Sequence, residues 1–366
     1  MIPAHLYQYI YLTVITIASI LCLLYYKSVD DLSTKKSMVP SLLLLVFMIF
    51  FIGTRPIDEV FVDMYDYAHI MDLRKGDAFV FDINAENIIY DNLQAYWVSK
   101  EWPLGPFFFL FSIIYFSGIF FATRKLFKLN TLLVLLIYLG ALSTFAFGTN
   151  GIKAGAAASL FLVAVAYKKK LLISIPFLLL SLGFHHSMTL PIAAFIIAYI
   201  FHDRRYYLAF WIICLALAAL HVTYFQVLLA GYTDERGASY LEIVDPQKKE
   251  ITGATGFRLD FIIYSAVPIF LGYYLAVKKK LESQTFDFLW CLYVLSNGVW
   301  LLCTYASYTN RIAYLSWCVY PFVLIYPIVN FAWSDRQEIY LKRCVFIHLG
   351  FTIFMNTIYT LLKLYL

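Results

Sequence analysis

Long apolar runs separated by short basic ones constrain this chain more than any other feature. Stretches such as "SLLLLVFMIFFIG" (41–53) and "FFFLFSIIYFSGIFFA" (107–122) recur from end to end. An α-helix needs roughly 20 apolar residues to cross a hydrocarbon core of about 30 Å, and many of these runs approach that length. In lipid each backbone N–H and C=O must be paired within its own segment. The runs show no two-residue alternation of the kind barrel strands carry, so the spans read as helices. The expected fold class is all-α, a polytopic membrane helix bundle of about twelve transmembrane helices. These fall near 5–26, 38–54, 105–122, 130–147, 150–167, 171–184, 187–201, 206–229, 259–277, 285–304, 311–332 and 343–362, within one integral membrane domain covering 1–366.

Charge sets the expected orientation. The segments "YKSVDDLSTKK", "TRKLFK", "YKKK", "HDRR", "VKKK" and "SDRQEIYLKR" fall at every second junction and hold more than half of the chain's 28 Lys and Arg residues. Short basic loops stay in the cytoplasm. Both termini, the long loop 55–104 and the second loop 230–258 then face outward. The first run has no basic region before it and no small-residue cleavage site after it, so it reads as a retained helix. The net charge of +5 is accounted for by these junctions and gives no case for nucleic acid. Six cysteines without CxxC spacing read as small apolar packers.

Close to half of the 23 acidic residues fall in the loop 55–104, interleaved with Tyr65, Tyr67, Tyr90, Tyr96 and Trp97. Carboxylates beside aromatic faces suit sugar hydroxyls, and equally suit a solvated loop anchored on headgroups. "GFHHS" sets His185 and His186 between two apolar arms interrupted by Pro176 and Pro191. From Lys170 to Phe201 the chain is shorter than the roughly 40 residues that two crossings need. The turn is therefore expected below the outer surface, in a protein-walled, wet space. Adjacent residues on a helix diverge by about 100°, so one of the two imidazoles is expected to serve the site. No metal-ligand spacing surrounds them.

Other outward positions carry cations. In "FGTNGIKAGAAASL" Asn150 is expected to cap a helix, Lys153 lies in its first turn, and Gly151, Gly155, Ala156, Ala157 and Ala158 form a small face for close packing. Arg55 closes the second helix, Arg258 opens the ninth, and Arg311 opens the eleventh. Each alone is an interfacial anchor or a snorkelling side chain. Together, on the side that membrane proteins keep poor in positive charge, they suit a diphosphate.

The ordered features "GTRPIDEVFVDMYDY", "NGIKAGAAASL", "GFHHSMTLP" and "NRIAYLSW" resemble the EpsG-like exopolysaccharide polymerases, relatives of the Wzy O-antigen and capsule polymerases. Arg55, Asp63 and Tyr67 supply the family's Arg and its Asp-x-x-x-Tyr. Asn150 fits its middle-helix Asn, with Lys153-Ala154 in place of Arg-Gln. Phe184, His185 and Ser187 fit its Phe-His-x-Ser, selecting His185 over His186, and Arg311 fits its late Arg. The resemblance implies a GT-C-like architecture and an enzyme at the outer face of a bacterial inner membrane. Such an enzyme transfers a growing glycan from undecaprenyl diphosphate to a lipid-linked repeat unit. It implies no cofactor or nucleotide sugar, and as partners lipid-linked oligosaccharides, membrane lipids and a chain-length regulator protein. His185 is then the expected general base, with Asp63 as rival, and Arg55, Tyr67, Asn150, Lys153, Arg258 and Arg311 are the expected substrate ligands. A glycosyltransferase using a polyprenyl-monophosphate sugar, a membrane O-acyltransferase and a lipid-linked sugar flippase are the alternatives.

Overall fold

A computed structural model describes residues 2–25, 34–128, 130–230 and 256–358. Among these every regular element is helical. The first junction, most of the loop 230–258, and the end of the twelfth expected span lie outside the described residues. The helices are α1 (Tyr7–Tyr25), α2 (Thr34–Gly53), α3 (Val62–Leu73), α4 (Ile88–Ser99), α5 (Leu104–Leu126), α6 (Thr131–Leu139), α7 (Thr144–Thr149), α8 (Ile152–Ala166) and α9 (Leu171–Phe184). They continue as α10 (Thr189–Ile200), α11 (Arg204–Ala219), α12 (Tyr224–Ala230), α13 (Leu259–Lys278), α14 (Gln284–Leu302), α15 (Thr309–Trp317), α16 (Tyr320–Asn330) and α17 (Gln337–Ile353).

The helical membrane class holds, and the described residues reach the length and hydropathy of a full crossing in part of the twelve expected spans. Among the described residues five stretches are long and apolar enough to cross a bilayer: Ala4–Leu24, Leu104–Leu126, Leu259–Lys278, Gln284–Leu302 and Thr309–Asn330. Several others are broken or short for local reasons. The run 130–147 divides at Gly140–Ser143 into α6 and α7. The run 206–229 divides at Leu220–Thr223, where His221 takes a left-handed backbone with φ of 58°. α9 and α10, at 14 and 12 residues, extend only about 21 and 18 Å at 1.5 Å per residue. The loop 55–104 is not structureless, because α3 and α4 occupy much of it.

The chain forms two compact units, Met1–Thr189 with Ile328–Leu366, and Leu190–Pro327. In the first, α8 packs against α5 and α9 through the expected small-residue face. A Cβ on Gly118 would fall 2.7 Å from Ser159 Oγ, and one on Gly155 would fall 2.4 Å from the Phe147 carbonyl oxygen. Side-chain hydroxyls fasten α9 to α8: Ser181 Oγ donates to the Ala157 carbonyl at 2.7 Å and Ser174 Oγ to that of Ala164 at 3.0 Å. Small residues at helix contacts and hydroxyl bonds across them are what drives association where lipid removes the hydrophobic incentive.

The second unit is built on tryptophans. Trp211 Nε1 donates to Asn297 Oδ1, Asn297 Nδ2 donates to Ser316 Oγ, Trp300 Nε1 donates to Thr309 Oγ1, and Trp317 Nε1 donates to Ser265 Oγ. Helix ends are capped as the sequence dictates: Asp203 accepts from the Arg205 amide to start α11, and Ser283 accepts from Phe286 to start α14. All six cysteines are free thiols, five of them buried, which fits their reading as packers.

Candidate active site

The site residues of the first unit gather where α7 reverses into α8. The amides of Asn150 and Gly151 both reach the Ala146 carbonyl, and the Ile152 amide reaches that of Asn150. Asn150 was expected to cap α8. Instead Gly151 holds the cap position without a side-chain bond, and Asn150 Oδ1 is buried with no hydrogen-bond partner. The reversal turns the Asn150 backbone into the end of α7, so its side chain cannot reach the amides of α8's first turn.

Arg55 is only 4% exposed. Its Nη1 donates to the Ile52 carbonyl at 2.7 Å and its Nη2 to that of Thr149 at 2.8 Å, the two ends of α2 and α7. A cation at helix C-termini meets the negative end of each dipole. Its guanidinium carbon sits 5.5 Å from the Phe61 ring centre, and Nε has no hydrogen-bond partner. Burial pushes the group down to about 9, partly opposed by Tyr7, so it stays charged at neutral pH. Arg55 therefore joins two helices with one edge of its fork and keeps one donor unmatched.

The outer helices cover this junction. Lys153, in the first turn of α8, is buried and lies 5.4 Å from the Tyr90 ring centre and 5.8 Å from that of Tyr67. Tyr67 and Tyr90 contact each other at 5.8 Å, and Tyr90 packs onto Phe107 and Phe111 of α5. Burial, then Tyr67, Asp91 and Asp63 push the Tyr90 phenol well above its ordinary value, so it remains an O–H. That hydroxyl is buried and without a hydrogen-bond partner. Asp63, in the first turn of α3, is thus one of the carboxylates acting on this cluster.

α4 also reaches the histidine turn. A Cβ on Gly183 would meet Ile89 Cδ1 at 2.6 Å, so α4 rests directly on the end of α9. Beside that contact the Asn87 side-chain oxygen accepts from the His186 amide at 3.0 Å. The His186 ring places Nδ1 2.9 Å from Glu86 Oε1 and 3.3 Å from Asn87 Oδ1. His185 turns the other way: its Nδ1 accepts from the Ser187 amide at 3.2 Å and lies 2.9 Å from Ser187 Oγ. The expectation that the two imidazoles diverge by a helical 100° fails for a local reason. His185 ends α9 in an extended conformation with φ of −155° and ψ of 119°, and the two ring centres come within 5.0 Å.

Arg258 and Arg311 belong to the second unit. Arg258 Nε donates to Asp260 Oδ1 at 2.8 Å while its Nη2 contacts Asp260 Oδ2, so the fork already grips a carboxylate two residues on. Arg311 is exposed and lies 4.9 Å from the Tyr308 ring centre, above a left-handed Tyr308 that starts α15. Among the described residues no three His, Cys, Asp or Glu side chains come together as a metal set.

Sequence reasoning placed Arg55, Asp63, Tyr67, Asn150, Lys153, His185, Arg258 and Arg311 around one outward-facing site; the first six fall in the first unit and Arg258 and Arg311 in the second. It missed Glu86, Asn87 and Tyr90 as site residues, and it gave His186 no part. Glu86 was visible only as one acid among many in the loop, since Asn87 and His186 are 99 positions apart and no spacing links them.

No curated protein and no solved structure matches the chain. The sequence model of the EpsG family matches residues 38–365, from the second helix almost to the last residue. That match covers every residue of the cluster described above, and the chain belongs to the EpsG family.

Proposed function

We propose that this protein is a polysaccharide polymerase that transfers a growing glycan from undecaprenyl diphosphate onto a lipid-linked repeat unit. The family supports a membrane exopolysaccharide polymerase of glycosyltransferase type. The observation that carries the finer reading is the buried, incompletely paired cluster at the start of α8. Arg55 Nε and the Tyr90 hydroxyl are donors in want of acceptors, Asn150 Oδ1 is an acceptor in want of a donor, and the Lys153 ammonium is buried beside two tyrosine faces. Native proteins pair nearly all buried polar groups, so unmatched groups that sit together mark a place completed by a ligand or by water.

Charge and hydroxyl chemistry set what that ligand is. As the anomeric carbon leaves its diphosphate, negative charge grows on the leaving oxygen, and preorganised cations in a water-poor site stabilise it. Lys153 acts there as a point charge, where an arginine would offer a planar fork. Asp63, Tyr67 and the acidic, aromatic α3–α4 segment take the sugar hydroxyls. The proton of the attacking hydroxyl goes to an imidazole or to Asp63.

In this reading the short basic junctions favour a site on the outer side of the cytoplasmic membrane, in a GT-C-like bundle, where a chain-length regulator would meet the growing polymer. Purified protein with synthetic undecaprenyl-diphosphate-linked repeat units should yield a ladder of lengthening products with release of undecaprenyl diphosphate. No ladder from these substrates, with elongation from a polyprenyl-monophosphate sugar instead, would replace the proposal with the monophosphate glycosyltransferase.

A further inference from the structure

We propose that His186, and not His185, is the general base of this reaction, held by Glu86 and Asn87 so that its Nε2 lone pair meets the acceptor hydroxyl. The inference rests on the polymerase reading and adds the residue that takes the proton and the residues that orient it.

The hydrogen bonds assign the tautomers. A backbone N–H can only donate, so the Ser187 amide at 3.2 Å makes His185 Nδ1 an acceptor. The neutral His185 ring then carries its hydrogen on Nε2, and what it shows beyond its own turn is a donor. A base needs a lone pair at the reacting position. His186 is wired in the opposite sense. The Asn87 side-chain oxygen is identified as oxygen because it accepts from the His186 amide. His186 Nδ1 therefore faces two oxygens, Asn87 Oδ1 at 3.3 Å and Glu86 Oε1 at 2.9 Å, and carries the hydrogen itself. The neutral ring keeps its lone pair on Nε2.

The Asn87 side-chain oxygen thus fixes the tautomer of the imidazole, and the Glu86 carboxylate beside the same nitrogen stabilises the imidazolium formed when it takes a proton. The His186 side chain is 32% exposed and that of Glu86 24%, so the ring is reachable while the carboxylate behind it is partly sheltered. The pair of rings, 5.0 Å apart, thus offers one donor and one acceptor side by side. The acceptor hydroxyl oxygen forms its bond to the anomeric carbon as its proton passes to His186 Nε2. The bond from that carbon to the diphosphate oxygen breaks, and its electron pair leaves on the diphosphate. His186 later returns the proton to water. Glu86 and Asn87 are positioning residues, and Glu86 is in addition the counter-charge.

The test uses the full-length purified protein with synthetic lipid-diphosphate repeat units, with donor-lipid binding measured separately from elongation. His186→Gln should lower turnover by on the order of 100- to 10,000-fold, the usual range for loss of a general base, with binding unchanged. His185→Gln should lower it by less. Glu86→Gln should lower turnover and leave donor-lipid binding unchanged, because the imidazolium formed in the step loses its counter-charge. Nitrogen-15 NMR of labelled histidine should place the His186 hydrogen on Nδ1 in the resting protein. Near wild-type elongation by His186→Gln, or a hydrogen on Nε2 of His186, would overturn the assignment and leave the polymerase reading intact. Absence of any ladder from the wild-type protein would overturn both.

Discussion

In the unit Leu190–Pro327, buried indoles and amides are closed on one another. Trp211, Asn297 and Ser316 form one chain of hydrogen bonds, Trp300 and Thr309 a second, and Trp317 with Ser265 a third. Around the start of α8 in the other unit, groups of similar polarity are left incomplete: Arg55 Nε, the Tyr90 hydroxyl and Asn150 Oδ1. A satisfied buried network fixes one packing and contributes to stability, while an unsatisfied group costs on the order of 1–3 kcal/mol. In the proposed reading the first set holds the bundle and the second is kept for a substrate, while single buried atoms elsewhere in the first unit, Thr123 Oγ1 and Asn130 Oδ1 among them, also lack a partner. The second unit also holds Asn310 Oδ1, which is buried without a partner and directly precedes Arg311. That neighbour is the cation which the family resemblance singles out.

The comparison can be broken most sharply at Trp317, packed among Phe261, Tyr264, Trp300 and Tyr314. Trp317→Ala should destabilise the fold by about 3–5 kcal/mol. Polymer should then fall only in proportion to the amount of folded protein in the membrane. Thermal unfolding in detergent reads the first effect, and polymer per folded molecule the second. A specific activity that collapses while stability holds would place the tryptophan network in the chemistry.

Lys153→Met should do the reverse. Loss of a preorganised charge typically costs about 100- to 1,000-fold in rate. Single lipid-linked repeat units should accumulate in cells that still insert the protein at normal levels. Normal polymer from this variant would detach the cluster from catalysis.

Asn297→Leu removes the group that joins Trp211 to Ser316 and should cost about 1–3 kcal/mol in thermal unfolding, since both neighbours lose a partner at once. Tyr90→Phe is expected to leave stability within about 0.5 kcal/mol, because the hydroxyl has no bond to lose, yet elongation should slow measurably. If Tyr90→Phe destabilises as much as Asn297→Leu, the hydroxyl is held by water or protein and the contrast between the two regions disappears.

The parts legible in the sequence are those written in local pattern. Apolar run length gave the helical membrane class. The glycine and alanine run after Asn150 gave the packed face of α8, because close approach needs small residues wherever the partner comes from. The breaks at Gly140–Ser143 and Leu220–Thr223 fall inside apolar runs, so hydropathy did not register them. α3 and α4 were read as loop because acids and aromatics dominate their stretch. The choice between His185 and His186 depended on which ring nitrogen meets which oxygen. For His186 that is fixed by Glu86 and Asn87, a hundred residues earlier and unreadable from its chain neighbours, whereas His185 is fixed by Ser187 two residues on.

The seating of Ile89 on Gly183 carries a genetic consequence. A methyl at 183 would press on Ile89 and lift Glu86, Asn87 and Tyr90 together with it. Gly183→Ala should thus behave as a lesion of the histidine turn. Trimming the residue it collides with restores the space, so Ile89→Ala, itself harmful for the cavity it leaves, is the expected second-site suppressor. Recovery of polymer in the double variant beyond either single one would show that α4 and α9 drift through sequence change as a matched pair.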